Sequence, residues 1–227
     1  MDLNKGNNMD FWEPIFVSIR VVILASFIAF VLAVIAAWFL KKKSFKGKIF
    51  IETFLMLPLV LPPTVIGFGL LVIFGRRSLV GQWFETIFNQ PIVFSYIAAV
   101  IAAAVVAFPL IYQMLMSGFE SVDSELEAAA RQMGASEQQV FWYVTIPLSW
   151  RTLISGYMLG FARALGEFGA TLMFAGTIAG VTQTIPTSIY ISVESGNIGM
   201  AYYWVFSIIV FSFVLLSVVQ RLKKSNK

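Results

Sequence analysis

Cysteine and histidine are both absent from the 227-residue chain. Their absence excludes disulfides, thiolate- or imidazole-bound zinc, histidine-ligated haem, and every scheme in which histidine moves a proton or cysteine attacks a substrate. No metal-ligating cluster is expected. Charge is scarce too: 12% of residues are Asp, Glu, Lys or Arg, where a soluble domain carries about 25%. With 59% of residues hydrophobic, an ordinary water-soluble globule is excluded and an all-α integral membrane protein is predicted. No G-x-x-x-x-G-K-[ST] phosphate loop occurs, so ATP hydrolysis by that route must reside on another polypeptide. The net charge is +4, but the basic residues gather in two clusters that bear on topology rather than on nucleic acid. The opening MDLNKGNNMDFWEP is acidic in part and lacks the basic start of a cleaved signal peptide, so the first apolar segment is expected to be retained.

Five spans are predicted, at about 16–40, 53–75, 92–116, 148–174 and 202–219. Val21 to Leu40 is a charge-free run of 20 residues, long enough to cross a hydrocarbon layer of about 30 Å. Lys41, Lys42, Lys43, Lys46 and Lys48 follow it, and Arg221, Lys223, Lys224 and Lys227 follow the last span. The positive-inside rule puts both clusters in the cytoplasm, the carboxyl terminus inside and the amino terminus outside. The second span holds Pro58, Pro62 and Pro63, which predict a kinked helix; Pro62 and Pro63 are candidates for a pathway or gate. Arg76 and Arg77 lie in an outer loop beside Trp83 and Phe84, a pattern that interfacial anchoring accounts for. Ala99, Ala103 and Ala107 form a small-residue ridge along the third span.

The stretch 121–147, SVDSELEAAARQMGASEQQVFWYVTIP, interrupts this apolar chain. From Glu120 to Arg151 there are five acidic and two basic residues. Ser124 and Glu127 have the spacing of a capping box that would start a helix, with Leu126, Ala129, Ala130 and Met133 on one face and Gly134 ending it. Ser136 and Gln139 repeat the pattern for a second helix carrying Val140, Phe141 and Val144, closed by Pro147. Helices that lie on membranes are usually rich in Lys and Arg; this loop is acidic, and its apolar face suits a protein groove.

In the fourth span Gly156, Gly160 and Ala164 make a close-packing face that could join helices or two copies of the chain. Arg163 and Glu167, four residues apart, are expected as neighbours on one side of that helix, either neutralising each other or meeting a passing anion. Gly169 to Val193 is broken by Gly176, Gly180, Gln183, Thr184 and Pro186, and is expected to finish the fourth span and continue as an irregular segment. An ion-coupled secondary transporter is the alternative from another class, and Glu167 is the carboxylate it would use.

LEAAARQMGA followed by VTIPL resembles the EAA loop of ABC-importer permeases, whose form is EAA, three residues, Gly, nine residues, then I-x-L-P. Gly134 is followed nine residues on by VTIP; Glu127 lies one residue farther from Gly134 than the general form has it, a register similar to the molybdate branch. LPLVLPPTVIGFGLLVIFGRRSLVG and FARALGEFGATLMFAG with TQTIPTSIY look like segments of molybdate-transporter permeases, and GEFGA also resembles sulfate and thiosulfate permeases. The resemblance implies a type I ABC importer transmembrane domain, with about five spans and a cytoplasmic two-helix coupling loop, in a bacterial or archaeal cytoplasmic membrane. It implies that Glu127, Ala129, Ala130, Arg131, Gly134, Ala135, Val144 and Pro147 contact a dimer of ATPase subunits carrying ATP and Mg2+. It further implies a homodimer, an extracytoplasmic oxyanion-binding protein, and a pathway near Pro62, Pro63, Arg163, Glu167 and Thr171. Tungstate and sulfate are the alternative cargoes.

Overall fold

A computed structural model describes residues 11–41 and 45–224. Lys42, Lys43 and Lys227 of the two basic clusters, and most of the polar amino-terminal stretch, lie outside the described residues. Among these residues there are helices and no strands: α1 (Trp12–Lys41), α2 (Lys48–Val60), α3 (Pro63–Phe74), α4 (Leu79–Phe88), α5 (Tyr96–Glu120), α6 (Ser124–Gln132), α7 (Glu137–Val140), a π-helical turn (Phe141–Thr145), α8 (Ile146–Leu165), α9 (Gly169–Ala175), α10 (Ile185–Glu194) and α11 (Ile198–Lys224). The chain divides into two units. One comprises Met1–Leu24, Pro62–Ala103 and Leu165–Phe211, the other Ala25–Leu61, Ala104–Ala164 and Ser212–Lys227.

Three of the described helices, α1, α5 and the Ile198–Ser217 part of α11, are long and apolar enough to cross a membrane; α2 and α3 qualify only when taken together. The predicted second span is therefore two helices rather than one kinked helix. The cause is local: a residue before proline avoids the α region. Leu61 and Pro62, each followed by proline, are extended, with ψ 141° and 138°. Pro63 then takes the first helical position, where a missing N–H is harmless. The predicted fourth span also ends early, since α8 stops at Leu165 and a non-helical link precedes α9.

In the second unit, α1 buries a small-residue stripe in which Ala25, Ala29, Ala33 and Ala37 are all 0% exposed. Helix α8 meets α5 through its glycines: a Cβ at Gly160 would lie 2.2 Å from Ile111 Cγ1, and one at Gly156 would lie 3.2 Å from Met114 Cβ. Gly156 and Gly160 thus pack inside the chain and offer no face to a second copy. Gly160→Ala is expected to destabilise the protein by about 1–3 kcal/mol through overpacking. Thermal unfolding in detergent checks this.

In the first unit, α3 packs on α9. Gly67 faces Ala170 and Met173, and a Cβ at Gly169 would come within 3.0 Å of Pro63 Cβ. Gly176, at φ 68°, takes a left-handed turn after α9. Thr182 secures the link that follows: its hydroxyl accepts from Ile178 N–H at 2.8 Å and donates to Gly176 O at 3.2 Å. Helix α10 starts where the Ile185 N–H donates to Ser18 Oγ at 2.8 Å. The segment expected to be irregular is therefore two short helices around a buried polar turn.

Candidate functional site

The stretch 121–147 folds as two short helices hinged at a glycine, with two departures from expectation. Asp123, not Ser124, caps α6, its carboxylate accepting from Glu125 N–H at 2.9 Å. That moves Glu127 one position too far along the helix to reach back to the cap, so the predicted Ser124–Glu127 box is not made. The second box does form: Ser136 Oγ accepts from Gln139 N–H at 3.4 Å, and Ser136 N–H donates to Gln139 Oε1 at 2.8 Å. Between the helices Gly134 has φ 90°, a left-handed conformation that glycine enters without a Cβ penalty.

Pro147 does not close the second helix. Helix α7 runs through the π-helical turn into α8, with Pro147 as the second residue of α8. A proline inside a helix removes one N–H and crowds the carbonyl four residues back. Here the wider turn just before it relieves that crowding, with Ile146 N–H reaching back to Phe141 O.

Glu127 is the centre of the loop's electrostatics, although it is only 6% exposed. Its Oε1 accepts from Lys41 Nζ and from Thr145 Oγ1, each at 2.6 Å. Its Oε2 lies 3.4 Å from Arg131 Nη2, and Arg131 Nε donates to Glu137 Oε1 at 2.7 Å. Burial pushes the Glu127 carboxyl up, but the hydrogen bonds from Lys41 and Thr145, the Lys41 charge and the Arg131 hydrogen bond outweigh it and hold it below the ordinary glutamate range. Lys41 and Thr145 are partners of Glu127 that sequence reasoning does not find: Lys41 stands in a basic cluster that bears on topology, and no spacing rule pairs it with Glu127.

Above this network the loop presents an open groove of ≈ 340 Å³, lined by Ala130, Met133, Gly134, Ala135, Tyr143 and Val144 among others. Met133 is 89% exposed and Tyr143 78%, so the rim is apolar and accessible. Ala129 is exposed beside it, and Pro147 is exposed at the start of α8. Four of the expected coupling residues, Ala130, Gly134, Ala135 and Val144, are thus gathered on one surface. Glu127 and Arg131 belong instead to the support beneath.

Among the pathway candidates, Arg163 lies in the last turn of α8 and Glu167 in the link after that helix. Glu167 is buried and accepts the Ala170 N–H at 2.8 Å, serving the start of α9. Thr171 is buried within α9, its carbonyl accepting from Gly176 N–H. Pro62 is exposed at the α2–α3 break, and Pro63 packs on Gly169.

Residues 14–227 match a family model described as binding-protein-dependent transport system inner membrane component. The chain is 50% identical over 214 residues, 94% of both sequences, to the putative molybdenum transport system permease protein YvgM of Bacillus subtilis. It is 41% identical over 199 residues, 87% of both, to the molybdenum transport system permease protein ModB of Escherichia coli K12. Among solved structures it is similar to a bacterial ABC transporter involved in the import of the acidic polysaccharide alginate, with a TM-score of 0.74 and 14% identity, over 95% of this chain and 79% of that one.

Proposed function

The chain belongs to the binding-protein-dependent transport system inner membrane components, and from that membership we propose that it carries molybdate across the cytoplasmic membrane as the permease of an ATP-driven importer. It is a permease subunit of an ABC importer, not an enzyme, and ATP and Mg2+ act on the partner ATPase. The observation that carries the coupling part of the reading is the accessible groove hinged at Gly134, on a loop that is polar in an otherwise apolar chain. An acidic loop with an apolar rim suits a protein partner. The ATPase seats on Ala130, Gly134, Ala135 and Val144, and its closure is passed to the spans. Molybdate as cargo follows from the two permeases named above, which cover nearly the whole chain.

The working unit is a homodimer, since three or four apolar spans per chain are few to enclose a gated path and a two-fold pair is the simplest closed assembly. Helix α2 buries none of its residues within the chain and has apolar surface for such a contact or for lipid. The amino terminus faces outward, toward an extracytoplasmic oxyanion-binding protein, and the carboxyl terminus faces the cytoplasm. The pathway runs past the break at Pro62 and Pro63, where non-helical backbone at membrane depth needs protein or water to satisfy it.

Two measurements test this. Reconstituted with its ATPase and binding protein, the permease should show ATP-dependent uptake with molybdate stimulating hydrolysis above sulfate; equal stimulation by sulfate would refute the cargo. Because the chain has no cysteine, Asn7→Cys and Ser225→Cys report topology cleanly. Asn7→Cys should react with an impermeant thiol reagent in intact cells, and Ser225→Cys only after permeabilisation.

A further inference from the structure

We propose that Lys41, the last residue of α1, is a positioning residue for coupling: through Glu127 it ties the end of the first span to the two-helix loop, so that α1 follows the loop when the ATPase closes. This rests on reading that loop as the ATPase contact.

Three elements converge on one carboxylate. Lys41 reaches Glu127 Oε1 from α1, and Thr145 reaches the same oxygen from the π-helical turn, both at 2.6 Å, while Glu127 itself sits in α6. The Lys41 and Glu127 side chains are only 15% and 7% exposed, so water competes little for either. Arg131 extends the tie to Glu137 of α7 at 2.7 Å. Both helices of the loop, and the turn that leads into α8, are thereby referred to the tip of α1. A buried ion pair adds little net stability, because desolvation offsets attraction. What it does impose is geometry, since separation would leave the Lys41 ammonium largely shielded from water without its carboxylate.

That pair is a charged link between the tip of α1 and the loop. Away from it α1 meets the turn and α8 through Trp38 against Phe141, with ring centroids 5.3 Å apart, through Phe30 against Tyr157 at 5.6 Å, and through the Ser26 hydroxyl, which donates to Tyr157 Oη at 3.3 Å. Between these contacts lies an apolar groove of ≈ 480 Å³, lined by Val34, Ile35, Trp142, Ile146 and Leu153 among others. Close-packed surfaces transmit displacement, and an open groove does not. On the side of this groove, the path from loop to first span therefore runs through the aromatic contacts and the Lys41–Glu127 pair.

The test uses the complete importer in proteoliposomes and reads oxyanion delivered per ATP hydrolysed. Lys41→Met should lower that ratio roughly tenfold, inside the roughly 5–150-fold range of measured couplings between sites, with ATP hydrolysis retained. Lys41→Arg should keep the ratio, and the exchange of Lys41→Glu with Glu127→Lys should restore part of it. Spin labels at Leu32→Cys and Gln132→Cys add a readout that is independent of cargo. Their separation should be the same in nucleotide-free and ATP-bound complexes with Lys41 present, and should differ between those states in Lys41→Met. The proposal is overturned if Lys41→Met keeps the ratio, if uptake and hydrolysis fall together, if Lys41→Arg behaves like Lys41→Met, or if the label separation responds to nucleotide equally in both proteins. Failure of the underlying reading looks different: Met133→Cys, on the groove rim, would then not cross-link to the ATPase.

Discussion

Glu127→Ala should lower stability by about 3–5 kcal/mol, the usual effect of removing one partner from a buried ion pair. It leaves Lys41 with its charge largely shielded from water, and Thr145 without its acceptor. At about 2–4 °C per kcal/mol for a chain of this size, the melting temperature of the detergent-purified protein should fall by roughly 10 °C. Adding Lys41→Met to Glu127→Ala should recover much of that loss, because the stranded charge is gone. A fall no larger than that of an exposed control such as Glu125→Ala would mean the carboxylate is solvated and the network is absent.

The same carboxylate sets a pH dependence whose sign follows from its lowered pKa. The folded state binds the proton less readily than the unfolded state does, so the contribution is complete above the ordinary glutamate pKa of about 4.3. It is lost as pH falls through that value and then through the lower folded one. Wild-type protein should therefore lose more melting temperature between pH 7 and pH 4 than Glu127→Gln, which has no proton to take up. Parallel pH profiles would contradict the assignment.

Gly134→Val should abolish productive coupling while leaving the protein folded and assembled. At φ 90° a β-branched side chain is strained by about 1–3 kcal/mol, yet a Cβ there would meet nothing within 4 Å. The turn must therefore change to relieve the strain, which re-aims α7 relative to α6 and reshapes the groove that Gly134 lines. Uptake should drop on the order of a hundredfold, within the scale of site-to-site coupling, with residual ATP hydrolysis. Gly134→Asn, which tolerates the left-handed region, should keep most of the activity. Normal uptake by Gly134→Val would count strongly against docking at this turn.

Much of this architecture was legible in the residues because its causes are local. The apolar runs, the proline at 63, the Ser136–Gln139 cap and the left-handed turn at Gly134 each depend on neighbours within a few positions. The small-residue faces were also legible, although only the packing shows that Gly156 and Gly160 are taken by Ile111 and Met114 of the same chain. Where local reasoning failed, two local signals competed. Asp123 displaced Ser124 as cap, and the π-helical turn let the helix continue through Pro147 when proline alone suggested a stop. At Leu61–Pro62 two successive prolines acted together and broke a helix that one would only have bent.

The amino-acid sequence by itself determined the solvent of this protein, the approximate placing of its helices, the lack of a phosphate-loop motif and the hinge of its two-helix loop, because composition and short-range spacing are sufficient for each. The role of Glu127 was decided by tertiary structure alone. Its charge partner Lys41 is 86 residues away, and a carboxylate that looks like part of an exposed acidic helix becomes the buried tie between that helix and the first span only when the fold brings the two together.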